Sequence, residues 1–373
     1  MNEEESLNTP IGNNKITRTE VENEDLENLN NEELENEEEE ELFEHYRFKS
    51  DPGQEILRVD KFLMARLPNT SRNKIQVAAR NGTIIVNNVP VKPNYRVKPH
   101  DEVSVVLPYP IREIELIAED IPIEIHYEDD TLLVVNKPAN MVVHPGYGNY
   151  SGTLVNALIY HIDNLPSKPN DYYGRPGLVH RIDKHTTGLL IIAKTEQALT
   201  HLAKQFYDRT TDRRYQALVW GNVEEDEGTI TGNIGRSLKN RKLMTIFPEG
   251  DYGKHAVTHY KVLKRYGLVT LVECKLETGR THQIRAHFKY IGHTLFNDLE
   301  YGGDAILRGT THTKYKQFID NCFNLIPGQA LHAKTIGFEH PVTGKHHQLD
   351  SELPEGFQAI LTKWDTYIAN SDQ

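Results

Sequence analysis

The sequence predicts an α+β protein, with two globular pieces of mixed helix and strand behind an acidic tail. Three observations carry this reading. From residue 121 onward, strand-like and helix-like stretches are interspersed without regular βαβ alternation, so the sheet should be mainly antiparallel. Residues 55–108 form a shorter α/β unit that opens with two helical patterns and closes with two short strands. The charge, finally, is unevenly divided. The 373 residues carry a net −12, but residues 1–50 hold 17 acidic and 4 basic side chains, a net of −13, which leaves the other 323 residues at +1.

Residues 1–50 have almost no spacing of aromatic or β-branched residues from which to build a core and read as a disordered acidic tail. In the next unit, EILRVDKFLMARL has helical spacing at Ile56, Val59, Phe62, Leu63 and Leu67, and Pro68 stops it. Thr70 or Ser71 can cap a second helix that ends on Gly82. Strands are expected over 83–86 and 103–107. Residues 51–110 hold 9 basic and 5 acidic side chains, and Arg58, Lys61, Arg66, Arg72, Lys74 and Arg80 fall largely on the polar sides of the two helices. That is either a pair of solvated faces or a concentrated positive surface.

Residues 109–120, with Pro108 and Pro110 at their start, read as a linker. The larger domain, 121–373, begins with two strand candidates and a Pro-Gly loop. Ser151 could cap a helix over 153–162, and Thr195 one that runs to about 208. RRYQALVWG, KHAVTHYKVLKRY and LVTLVECKLETG have strand alternation or β-branched content. THQIRAHFKYIG reads as a helix closed by Gly292, residues 329–338 as a strand, and EGFQAILTKWDTYIA as a terminal helix.

Residues 177–194, GLVHRIDKHTTGLLIIAK, organise this domain. A polar loop with His180, Arg181, Asp183, Lys184, His185, Thr186 and Thr187 leads into an apolar run. It is either a capped turn or a carboxylate held ionised among cations at the lip of a buried strand. Met1 is followed by acids rather than by a basic and then apolar leader, no run approaches the length of a membrane span, and Cys274 and Cys322 do not make a disulfide scaffold. A cytoplasmic, soluble chain is expected.

HRIDKHTTGLL, LETGRTHQIR about a hundred residues later, and ALHA at residues 330–333 together resemble the RluA/RluD-type pseudouridine synthases, which isomerise selected uridines in structured RNA. The segment 55–108 resembles the small RNA-binding module named after ribosomal small-subunit protein S-four. The resemblance spans about residue 55 to the end and implies a pseudouridine-synthase-like catalytic domain. It also implies structured RNA as partner, most of all large-subunit ribosomal RNA, bare or in a ribosomal particle. The enzyme would be a monomer that needs no cofactor.

Asp183 then matches the catalytic aspartate. Arg280 matches the arginine that pairs with it in a two-pronged contact and keeps it ionised. Tyr215 matches the tyrosine that stacks on the uracil. A stacked uridine must be flipped out; the resemblance has Arg181 fill the vacated space with His180 close by. Lys137, His144, Lys184, Arg285 and His332 would serve phosphate binding or loop structure, and Leu331 would pack beneath the uracil. Arg58, Lys61, Arg72 and Lys74 would bind RNA on the smaller module. The tail then either solubilises the chain or competes with RNA for the basic groove.

The sequence departs from the family pattern at His185, where an acid is usual, and at Asn140 and Asn297, where glycine is common. Eighteen histidines invite a metal, but neither His282/His287, His255/His259 nor His346/His347 has a metal-protease or paired-cysteine spacing, so no metal is expected. The same reaction on transfer RNA, or a non-catalytic RNA-binding or ribosome-assembly role, are the alternatives. A glycosidase would need two carboxylates at defined separation, and only Asp183 stands out.

Overall fold

The computed structural model of the chain describes residues 15–16, 42–67, 70–107, 116–146, 148–167, 175–240, 242–250 and 252–371. The chain divides into two units, residues 1–113 and 114–373.

The smaller unit holds strands β1 (Lys15–Ile16), β2 (Leu42–Lys49), β3 (Leu57–Arg58), β4 (Ile84–Val86), β5 (Val89–Pro90), β6 (Arg96–Val97) and β7 (Glu102–Leu107), with helices α1 (Val59–Met64) and α2 (Arg72–Arg80). Its sheet runs β1-β2-β7-β4-β5, while β3 and β6 form a separate pair. Val59, Phe62 and Leu63 of α1, with Leu67 just beyond it, bury the apolar spacing foreseen for the first helix, except Ile56, which is exposed; Ile75 and Ala79 of α2 join them against Ile84, Val86, Val103 and Val105. Ser71 caps α2 by accepting from the Lys74 amide. The first helix is shorter than its pattern because Leu57 pairs with Val97 instead of joining the helix.

Residues 42–49, expected in the disordered tail, form strand β2. Phe43 and Phe48 pair opposite Leu107 and Val103 of β7. The buried Glu44 accepts from Ser104 Oγ at 2.5 Å and from Arg47 Nε at 2.9 Å. The aromatic residues of LFEHYRF outweigh the acidic run before them. The rest of the expected tail, other than Lys15, Ile16 and Ser50, lies outside the described residues, as do Pro68, Pro108 and residues 109–115 of the expected linker. Residues 116–120 belong to the larger unit: Leu116 packs on its core, and the Glu119 amide donates to the Asn156 carbonyl at 3.0 Å.

The larger unit contains β8 (Glu124–Glu128), β9 (Leu132–Lys137), α3 (Leu154–His161), β10 (Thr187–Ala193), α4 (Glu196–Asp208), β11 (Asp212–Trp220), β12 (Glu227–Arg236), β13 (Met244–Phe247), β14 (Lys254–Arg265), β15 (Val269–Leu276), α5 (Gln283–Tyr290), α6 (Thr313–Phe323), β16 (Leu331–Glu339), β17 (His346–Asp350) and α7 (Glu355–Ser371). The strands form one sheet in the order β13-β12-β14-β15-β11-β16-β10-β9-β8, with β17 added on β16. Every pairing is antiparallel except β10 with β16. This is the α+β, mainly antiparallel arrangement foreseen.

The central strands are buried on both faces, which is why they read as continuous apolar runs. In β11, Ala217 and Val219 enter one core cluster and Leu218 and Trp220 another. In β10, Leu190 and Ile192 face the first cluster, while Leu189, Ile191 and Ala193 pack against α4. Thr153, not Ser151, caps α3 in a capping box with Asn156, and Thr195 caps α4 as foreseen.

Candidate active site

Three segments converge at the centre of this sheet. The loop 180–186 feeds into β10, where Thr187 and Gly188 stand opposite His332 and Ala333 of β16. Ala333 is also opposite Tyr215 of β11, at a register shift between Arg214 and Tyr215. Gly188 is required there: with φ of 109°, a β-carbon on it would lie 2.3 Å from the Ala333 carbonyl oxygen. The third segment, after β15, turns through His282 in the left-handed region (φ 52°) and starts α5.

Asp183, 19% exposed at its side chain, receives Arg285 Nη1 on Oδ2 at 3.2 Å, and His282 Nε2 lies 3.9 Å from Oδ1. Arg285, 4% exposed, is a buried fork. Its Nε and Nη2 each donate to the fully buried Asp298 at 2.7 Å, and Nη2 also reaches Glu300 at 2.6 Å. The guanidinium centre lies 4.8 Å from the centre of the Tyr301 ring. Burial opposes its charge, but these carboxylates more than compensate and raise its pKa. Burial lowers the pKa of His282, against the opposing pull of Asp183.

The expected pairing of Asp183 with Arg280 is therefore corrected. Arg280 Nε donates to the His255 carbonyl at 3.1 Å and makes no ion pair among the described residues. The helix explains this: Arg280 lies in the loop before α5, whereas Arg285 lies within its first turn, on a segment buried from Gln283 to Phe288.

Tyr215 sits on the same core face as Ile182, Leu331 and Ala333. Burial raises its phenol pKa, with Arg213 opposing and Asp183 reinforcing. Its hydroxyl has no hydrogen-bond partner among the described residues. Leu331 is buried in this cluster.

The remaining loop residues separate into holders and open groups. Lys137 is fully buried and donates from Nζ to the carbonyls of Pro138, Met141 and Lys184 at 2.6, 2.9 and 3.1 Å, tying the loop after β9 to the Asp183 loop. Burial pushes its ammonium down to about 7, with Asp183 pulling the other way. His332 is also a holder: Nδ1 meets Thr187 Oγ1 at 2.7 Å and Nε2 meets Ser351 Oγ at 2.9 Å, and burial pushes its imidazole down to about 4. His180 accepts the Ile191 amide on Nε2 at 2.9 Å and stacks on Phe206, so its ring is held neutral. Burial and Arg213 push it down to about 3.

Arg181 is exposed and makes no hydrogen bond or ion pair among the described residues. Lys184 is exposed and reaches Asn149 Oδ1 at 3.4 Å. His144 is half-buried in the loop after β9.

Two of the departures have a conformational reason. Asn140 (φ 65°) and Asn297 (φ 60°) occupy the left-handed region, which asparagine tolerates better than most residues with a β-carbon. His185 lies against Gly328, with its Nδ1 buried and unpartnered. It lines, with Lys137, Thr187, Gln329 and Leu331, a cavity of about 580 Å³ that neither Asp183 nor Tyr215 lines. Asp298, Glu300 and His282 were not singled out as site residues from the sequence. The signal available was the acid pair in FNDLEY, a short loop after the helix that carries Arg285. No group of His, Cys, Asp and Glu suited to a metal ion occurs among the described residues.

In the smaller unit, the basic residues are partly committed. Arg58 and Arg72 both hold the buried Asp60, at 3.0 Å each, with Gln76 Nε2 at 2.6 Å. Lys61 and Lys74 project from the helices without a side-chain partner among the described residues. Arg58, Gln76, Arg80 and Lys92 line a cavity of about 480 Å³.

One acid fixed by a buried arginine beside an aromatic ring, in a chain with a separate cationic helical module, is the equipment of an enzyme that handles nucleic acid. Comparison with known proteins gives that class its chemistry. The model of the RNA pseudouridylate synthase family matches residues 131–290, and that of the S4 domain matches residues 57–103. The chain is 45% identical over 319 residues to an uncharacterized RNA pseudouridine synthase of Chlorobaculum parvum, covering 85% of this chain and 97% of the relative. It is 41% identical over 306 residues to the ribosomal large subunit pseudouridine synthase D of Zymomonas mobilis, covering 82% and 92%. The solved structure of human RNA pseudouridylate synthase domain containing 4 shares the fold, at a TM-score of 0.50 and 24% identity over 65% of this chain and 93% of that one. The chain belongs to the RNA pseudouridine synthase family and is an isomerase that acts on RNA.

Proposed function

We propose that this chain converts specific uridines of large-subunit ribosomal RNA to pseudouridine, with Asp183 as the catalytic carboxylate. The observation that carries the catalytic part is the clamp of Arg285 between Asp183 and the buried Asp298. A fork already fixed by Asp298 on two bonds presents Nη1 to Asp183 in one orientation, so the carboxylate needs no reorganisation when charge develops on the ribose. The similarity to a large-subunit synthase over most of both chains supports the choice of RNA.

In the reaction the bond from uracil N1 to the ribose anomeric carbon breaks, the base turns, and a new bond forms from C5 to the same carbon. The C5 proton is lost and N1 gains one, so atoms and electrons balance without a co-reactant. Asp183 faces the sugar and acts on it either as nucleophile or as base. Tyr215, buried among the core side chains of its cluster, supplies the platform on which the base stacks, and Leu331 packs in the same cluster. Arg181, exposed in the loop, fills the gap left by the flipped base, and Lys184 meets the backbone.

The test is incubation of the purified chain with unmodified transcripts of large-subunit ribosomal RNA and of transfer RNAs, followed by chemical mapping of pseudouridine. Conversion of discrete uridines in the ribosomal transcript by wild type, and none by Asp183→Asn, is expected. Conversion only in transfer RNA would overturn the choice of substrate, and equal conversion by Asp183→Asn would overturn the role of the carboxylate.

A further inference from the structure

We infer that Arg213 is a binding residue for an RNA phosphate, the phosphodiester group that flanks the uridine held at Tyr215. The inference rests on the uridine-isomerase reading and goes beyond it by assigning a contact to a residue with no other evident task.

Arg213 is 7% exposed, and its Nε is buried with no hydrogen-bond partner. No ion pair or hydrogen bond engages its guanidinium among the described residues. The adjacent acid is committed elsewhere: Asp212 Oδ2 receives Arg214 Nε at 3.2 Å, and Oδ1 lies 3.6 Å from Lys275 Nζ. A guanidinium does not shed its charge when buried, and burying an unpaired charge is costly. A fold that keeps one in this state holds a place for an anion.

The position says which anion. Arg213 and Tyr215 are two residues apart on β11, so their side chains point to the same face about 6.7 Å apart along the strand. One ribose with its phosphate bridges such a span. The end of the side chain reaches the GRTHQ segment: a β-carbon at Gly279 would lie 2.8 Å from Nη1, so the absence of a side chain there makes room for the guanidinium. Phe206 holds the other side, its ring centre 5.5 Å from the guanidinium carbon.

Two more arginines extend the same charge. Burial lowers the pKa of Arg280, and Arg209 lowers it further, so those two lie within electrostatic reach of each other. Neither has a carboxylate partner among the described residues. Three unpaired guanidiniums near one end of β11, beside the stacking tyrosine, suit the backbone of a strand whose base has been drawn toward Asp183. In this arrangement Arg280 follows the RNA backbone instead of fixing the carboxylate.

The experiment uses the full chain, unmodified large-subunit ribosomal RNA transcript, and a synthetic stem-loop carrying the uridine that wild type converts. The stem-loop is made with all phosphates, or with a single neutral methylphosphonate 5′ or 3′ of that uridine. Arg213→Gln should lower kcat/KM roughly 10- to 100-fold, the range of a charge-assisted hydrogen bond. It should also reduce the slope of log affinity against log salt on the transcript by about 0.7. One of the two methylphosphonates should cost wild type a similar factor and cost Arg213→Gln nothing further.

Equal losses in both proteins, or an unchanged salt slope, would overturn the assignment. Should Arg213→Gln fail to fold, wild type alone decides: a large effect confined to one flanking phosphate supports the contact, and no effect at either position refutes it. Absence of pseudouridine in every RNA would refute the uridine-isomerase reading instead, while the salt slope on the same transcript would still report on the contact.

Discussion

Replacing Arg285 by glutamine should be far more damaging than replacing Arg280 by glutamine, although both lie in the same GRTHQIR segment. Arg285 is 4% exposed and makes two bonds to the fully buried Asp298, one to Glu300 and one to Asp183. Removing one partner of a buried ion pair costs about 3–5 kcal/mol, because the other charge is left behind. For a unit of this size that is a fall in thermal midpoint of about 10 °C, at roughly 2–4 °C per kcal/mol. Arg280 offers one half-exposed bond to a carbonyl, worth about 1 kcal/mol.

The assay pairs thermal unfolding with single-turnover pseudouridine formation at a temperature where both variants are folded. Arg285→Gln should unfold early and lose turnover. Arg280→Gln should unfold within a few degrees of wild type and lose mainly RNA affinity. Adding Asp298→Asn to Arg285→Gln should return part of the lost stability, since the stranded carboxylate is then removed. An Arg285→Gln protein with an unchanged thermal midpoint, or a double variant less stable than the sum of the singles, would refute the reasoning.

Three other perturbations follow from the same contacts. Tyr215→Phe removes a hydroxyl with no hydrogen-bond partner, so stability in urea should change by no more than about 0.5 kcal/mol; binding should persist while single-turnover product formation slows if the hydroxyl moves a proton, and equal rates would remove that role. His287 is fully buried with both ring nitrogens unpartnered, and His287→Met should raise stability at pH 7 by about 1–3 kcal/mol, the cost of an unmade bond; a loss in the urea midpoint would contradict it. Burial holds both His287 and His332 near 4, below their ordinary value of 6.5; the folded state keeps them neutral while the unfolded chain takes up protons, so stability should be full above about pH 6.5 and fall toward pH 4 by about 1.4 kcal/mol per unit for each, with His287→Met removing one of the two contributions.

What could be read from the residues alone follows their physics. The RRYQALVWG and GLLIIAK runs were legible as strands because both faces are buried, and Thr195 was legible as a cap because its side chain meets a free amide. Asp183 was legible through the resemblance of HRIDKHTTGLL to the family motif, because the charge of its loop alone left a capped turn open. The partner of Asp183 was not: Arg280 and Arg285 are equally cationic on paper, and only the turn through His282 and the phase of α5 decide which one points inward. Asp298 follows Asn297 in the pair where the family commonly has glycine and aspartate, but its role depends on a contact with Arg285 thirteen residues earlier. The β2 strand was hidden by the acidic run before it, since composition averaged over residues 1–50 conceals the aromatic residues at 43, 46 and 48.

The central claim is that the Asp183 carboxylate isomerises uridine in ribosomal RNA. Its most direct test is a pseudouridine map of ribosomal and transfer RNA from cells that lack this chain, complemented with wild type or with Asp183→Ala. The account predicts ribosomal sites that vanish on deletion and return only with wild type. Maps that do not change on deletion, or sites restored equally by Asp183→Ala, would contradict it.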